Sequence, residues 1–89
     1  MTLCYNKTVM KKKIDRKSFN YRFGQNLARI RIENGLTHSD MEDYGISRAY
    51  YGRIELGTHA PSIDKLVLIA KAFGIPVSDL FIDKNGKPL

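Results

Sequence analysis

The chain has no tryptophan, one cysteine and three prolines in 89 residues, and each scarcity closes off a class of protein. Cys4 alone cannot form an internal disulfide, so a small cross-linked scaffold is excluded. Neither Cys4 nor the two histidines, His38 and His59, has metal-ligand spacing, and no metal or cofactor is expected. No apolar run approaches the roughly 18 to 20 residues that a membrane-spanning helix needs, and the amino end lacks the apolar core of a signal peptide. The expected location is therefore the cytoplasm. There is no Ser/His/Asp set, glycine-rich phosphate loop or paired-carboxylate arrangement, so an enzyme is not expected. The length suits one domain with a small core and little surplus stability.

Acidic residues are scarce at the amino end. Residues 1 to 34 carry nine Lys and Arg against Asp15 and Glu33, whereas the other six basic residues face seven acidic ones. The net charge of +6 thus lies mainly in one segment. Lys11, Lys12 and Lys13 could run along the phosphates of a nucleic acid and add affinity without reading sequence. A solvated leader that keeps the protein soluble is the alternative. Residues 1 to 18 show no periodicity that would bury a face, and a disordered basic arm is expected there. Met10 before the three lysines is a second candidate start to Met1, which would make residues 1 to 9 an extension.

From residue 19 to 82 the pattern is helical. Phe23, Leu27, Ile30 and Ile32 are expected to turn inward from a first helix between Ser18 or Asn20 and Asn34. Gly35 ends it, Thr37 caps a second helix with Asp40 reaching back, and Gly45 breaks that one after Met41 and Tyr44 have supplied its apolar contacts. Ser47 caps a third helix, Arg48 to Leu56, which Gly57 stops. Two short helices joined by a glycine turn of this size make a helix-turn-helix. At about 100° per residue, Arg48, Ala49, Gly52, Arg53 and Leu56 share one side of the third helix while Tyr51 and Ile54 share the other. One side can pack and the other can meet a partner. Ser62 caps a fourth helix running to about Phe73, with Asp64 in its first turn. Gly74 and Pro76 make the next turn, and a short fifth helix, Ser78 to about Ile82, covers the core with Leu80 and Phe81. Residues 83 to 89 are expected to fray.

Several of these pieces, in this order, resemble the Cro/CI-type (XRE-like) helix-turn-helix family of bacterial and phage regulators. They are Gly35-Leu36-Thr37, Ser47-Arg48, Arg53-Ile54-Glu55 with Gly57, Pro61-Ser62, and then Leu66, Ile69-Ala70 and Leu80-Phe81. The resemblance covers about Phe23 to Phe81. Two departures stand out: His38 replaces a usual Gln at the start of the second helix, and that helix with its turn is one residue shorter than the common pattern. The resemblance implies an ion pair between Arg31 and Glu55 that locks the first helix to the third. It also implies that Arg48, Ala49 and Arg53 read bases. Arginine can donate two bonds to a guanine edge, and Ala49 can offer its methyl to a thymine methyl. His38 stands where a phosphate-contacting Gln is usual, and an imidazole N–H could still donate that bond; a plain surface role is the alternative. The Tyr50 hydroxyl could reach a phosphate. Gly52 is read either as permitting close approach of the helix to DNA or as a tolerated poor helix former. Thr37 and Ser47 complete the expected contact set.

The expectation is one all-α, five-helix, lambda-repressor-like domain that binds double-stranded DNA through its third helix and regulates transcription, as a repressor on a palindromic operator. A homodimer is expected because two such helices related by a two-fold axis read half-sites one turn apart. Leu68, Ile75, Val77 and Phe81 are more apolar than a monomer surface needs, and they mark the expected dimer interface. Two other readings stay open: an antitoxin of the same fold that also holds a toxin, and a protein-interaction module that has kept the fold without DNA readout.

Overall fold

The computed structural model describes residues 18–89; the expectations for Lys11, Lys12 and Lys13 and for the rest of the amino-terminal arm lie outside the described residues. Five helical elements follow one another in the expected order: α1 (Phe19–Glu33), a 3-10 helix (Ser39–Tyr44), α2 (Arg48–Leu56), α3 (Ile63–Phe73) and a second 3-10 helix (Val77–Phe81).

Each α-helix starts on a serine whose hydroxyl accepts a backbone N–H three residues on. Ser18 takes that of Tyr21, Ser47 that of Tyr50 and Ser62 that of Lys65, which satisfies one of the donors a helix start leaves unpaired. The α1 stripe of Phe23, Leu27 and Ile30 is buried. Ile32, expected to join it, is 65% exposed. It follows Ile30 by two residues, about 200° around the helix, so the spacing that buries Ile30 turns Ile32 outward.

The first 3-10 helix is short and tightly wound. Thr37 and Asp40 bond reciprocally, Thr37 N–H to the Asp40 carboxylate at 2.7 Å and Asp40 N–H to the Thr37 hydroxyl at 3.2 Å, so the expected capping box is present. Met41 is fully buried, but Tyr44, expected to be a second apolar contact, is 40% exposed. Gly45, at φ 88°, reverses the chain immediately after Tyr44 and sends Ile46 into the core in its place, 1% exposed. A left-handed backbone of this kind is strained for residues with a β-carbon, which is why glycine sits at this turn.

Two glycines let α1 and α2 touch backbone to backbone. A β-carbon on Gly24 would lie 2.5 Å from the Ile54 carbonyl oxygen and closer still to that of Glu55; on Gly57 it would lie 2.7 Å from the Tyr21 α-carbon. Tyr51 and Ile54 pack from α2 beside Leu27, and Ile69, Ala70 and Phe73 of α3 and Leu80 close the same core. The rings of Phe19, Phe23 and Phe81 stack, with centroids 4.8 Å apart for Phe23 and Phe81.

Leu68, Ile75, Val77 and Phe81, the expected dimer contacts, are half-buried and pack against this core. The apolar side chains that α3 presents to solvent are instead Ile63 and Val67, 77% and 39% exposed. The carboxyl end also departs from expectation. Residues 83 to 89 turn back: Asp83 N–H donates to Lys87 O at 2.7 Å and Leu89 N–H to Phe81 O at 2.9 Å, with a single bridge between Ile82 and Pro88. The Asp83 carboxylate accepts the amides of Asn85 and Lys87, a side-chain-built turn whose bonds hold its pKa below the ordinary carboxylate value. Asn26 on α1 anchors the segment, its amide donating to both Leu80 O and Ile82 O at 2.8 Å.

Candidate nucleic-acid interface

The outward face of α2 carries Arg48, Ala49 and Arg53, all exposed, around Gly52. Tyr51 and Ile54 point the other way, 0% and 1% exposed, so the helix is divided as its sequence periodicity indicates. The Arg53 guanidinium has no ion pair among the described residues, and that of Arg48 makes only a long bond, 3.4 Å, to the Ser39 hydroxyl. Both cations are available to a partner.

A groove of about 450 Å³ runs along this face, bounded by Gln25 of α1, by His38, and by Arg48, Ala49, Gly52, Arg53, Glu55 and Leu56 of α2. A β-carbon on Gly52 would meet only His38 ring atoms, at 3.9 Å. Nothing in the fold therefore requires glycine there, and its effect is to leave the middle of the groove open.

Beneath the groove Arg31, His38 and Glu55 form one network. Arg31 donates to the Glu55 carboxylate from Nε at 2.8 Å and from Nη2 at 3.3 Å, which is the expected pair. Burial alone would raise the Glu55 pKa, but the bonds from Arg31 and His38 overcome it and hold the carboxyl below its ordinary value. The Arg31 pKa is raised in turn, first by its bond to Glu55. His38 Nε2 lies 2.9 Å from Glu55 Oε1. An ionised carboxylate only accepts, so the hydrogen sits on Nε2 and a neutral ring is left with Nδ1 as an acceptor. The N–H that sequence reasoning assigned to a phosphate is thus directed at Glu55. The His38 ring also meets the Tyr51 ring edge-on, centroids 5.6 Å apart. The Tyr51 hydroxyl is buried without a hydrogen-bond partner, and burial followed by the Glu55 charge raises its pKa.

Around the groove, Tyr50 is half-buried with its ring against that of His59, centroids 6.0 Å apart. Thr37 and Ser47 are exposed at the starts of their helices. Glu42 accepts the Arg48 N–H at 3.2 Å, so a carboxylate of the protein itself occupies one of the free amides at the α2 start. Gln25 was not singled out by sequence reasoning, because nothing local links it to a helix nearly thirty residues away.

A helix-turn-helix family model matches residues 27–80, more than half of the chain. The chain belongs to the helix-turn-helix family. Within that family it is similar to an uncharacterized HTH-type transcriptional regulator of Sinorhizobium fredii, 33% identical over 66 residues that cover 73% of this chain and 86% of the relative. Among solved structures it is similar to the restriction-modification controller protein C.AhdI from Aeromonas hydrophila, with a TM-score of 0.66, 31% identity, and coverage of 68% of this chain and 94% of that one. The all-helical Cro/CI-like architecture read from the sequence is therefore the architecture of this helix-turn-helix protein, a DNA-binding regulator by family. No described helix is long and apolar enough to cross a membrane.

Proposed function

We propose that the protein is a sequence-specific transcriptional regulator that represses by occupying a palindromic operator as a homodimer. The observation that carries this reading is the division of α2, which gathers Arg48, Ala49, Gly52 and Arg53 on one open face. In the major groove Arg53, with Arg48, pairs with guanine edges, and Ala49 meets a thymine methyl. Thr37, Ser47 and Tyr50 contact the backbone on either side, and Lys11, Lys12 and Lys13 add phosphate contacts from the arm. The dimer forms around Leu68, Ile75, Val77 and Phe81, with exposed Val67 beside Leu68 contributing apolar area. The likeness to a restriction-modification controller protein supports a regulatory role.

The test selects bound sites from a random DNA pool and then titrates wild type, Arg53→Ala, Arg48→Ala and a chain lacking residues 1–13 on the selected site and on random DNA. A palindromic consensus is expected. Arg53→Ala is expected to weaken the selected site by roughly 1 to 3 kcal/mol per half-site and random DNA little. The truncation is expected to weaken both and to flatten the salt dependence by about 0.9 in log-log slope for each phosphate that the arm neutralises. Equal weakening of both DNAs by Arg53→Ala would remove α2 as the reading element.

A further inference from the structure

We propose that Gln25, on α1, is a phosphate-backbone contact that sets how α2 sits on DNA; the inference rests on the DNA-binding reading above and extends the contact surface beyond the helix-turn-helix itself. Three observations carry it. Gln25 lines, from α1, the groove that the outward face of α2 also lines. It is exposed and its amide has no hydrogen-bond partner among the described residues. Its position is rigid, because the residue before it, Gly24, lies in backbone contact with Ile54 and Glu55, so the α-carbon of Gln25 cannot drift away from α2.

The chemistry follows from where along α2 Gln25 lies. Base edges are read from the amino-terminal part of a recognition helix, while the helix before it crosses the backbone. Gly24, the residue before Gln25, lies against the Ile54 and Glu55 carbonyls, close to the end of α2 at Leu56, so Gln25 flanks the part of that helix remote from Arg48. A glutamine N–H donates to a phosphate oxygen there, one of the contacts that fix register and orientation without carrying sequence information. The open space over Gly52 admits the strand, and the Glu55 carboxylate that would repel it is held by Arg31 and His38.

A neutral donor leaves a distinctive signature. It neutralises no phosphate charge and releases no counterion, so its removal changes affinity without changing the salt slope. The experiment titrates wild type, Gln25→Ala, Gln25→Lys and Gln25→Glu on the selected site and on random DNA at several salt concentrations, with thermal melts of each variant to check folding. Gln25→Ala is expected to weaken both DNAs alike, roughly three- to tenfold, with the slope unchanged. Gln25→Lys is expected to strengthen both and to steepen the slope by about 0.9; Gln25→Glu is expected to weaken both most. Unchanged affinity in all three variants overturns the contact while leaving DNA binding intact. Loss confined to one base pair of the selected site overturns the phosphate assignment. A wild-type chain that binds neither DNA overturns this inference together with the reading beneath it.

Discussion

Arg31 holds Glu55 with one edge of its guanidinium and the Leu36 carbonyl oxygen with the other, Nη1 to O at 2.8 Å. One side chain therefore ties α1, α2 and the turn after α1 together. The two side chains are 14% and 9% exposed, so both charges have lost most of their water, and each is compensated chiefly by the other.

Removing one member leaves a buried charge uncompensated. Arg31→Met or Glu55→Leu is expected to cost about 3 kcal/mol in urea unfolding, whereas the double variant is expected to recover much of the loss, because an apolar pair of similar volume needs no desolvation. Additive losses would mean that the two groups do not depend on each other.

The same pair sets an acid limit. The Glu55 pKa lies below its ordinary 4.5 in the folded chain, so the unfolded chain binds the proton more readily. The stability this provides is present above about pH 4.5 and is lost as the pH falls through the lower, folded value. Melting temperatures measured from pH 6 downward are expected to drop more steeply below that point in wild type than in Glu55→Gln. Parallel profiles would place the acid sensitivity on another carboxylate.

Tyr51 offers the opposite case. Its ring fills the core while its hydroxyl has no partner, and an unmet buried hydroxyl is itself a penalty. Tyr51→Phe is expected to raise stability by about 1 kcal/mol, read as a higher denaturation midpoint. A loss of that size would show that the hydroxyl is bonded in solution, through water or Glu55.

Two glycines in helices should answer the same substitution in opposite directions. Gly24→Ala forces a β-carbon into the α2 backbone, and it is expected to destabilise by about 3 kcal/mol, in the range of overpacked cores. Gly52→Ala meets only ordinary contact with His38, so it is expected to stabilise by about 1 kcal/mol through helix propensity. If the open groove serves DNA, Gly52→Ala binds the selected site more weakly despite the better fold. Calorimetry and DNA titration of both variants separate the two effects.

How much was legible in the chain follows from the range of each signal. The serine caps, the glycine stops at Gly45, Gly57 and Gly74, and the Arg48–Arg53 face are encoded within three or four residues, where a hydrogen bond or one helical turn is the whole interaction. They were readable one window at a time, and the Arg31–Glu55 pair was readable through family resemblance. Other features required the packed chain. Tyr44 is left outside and Ile46 enters the core because of the turn geometry at Gly45. His38 turns to Glu55 because α2 brings a carboxylate beneath it. Gly24 is indispensable only because α2 crosses there, and Gln25 faces the groove for the same reason. Residues 83 to 89 fold back onto a stretch that Asn26, more than fifty positions earlier, holds by offering both amide hydrogens to Leu80 O and Ile82 O. Local hydrogen bonding and periodicity determine which segments are helices and which faces are apolar; which residues meet across helices depends on the crossing geometry, and that exists only once the helices have packed.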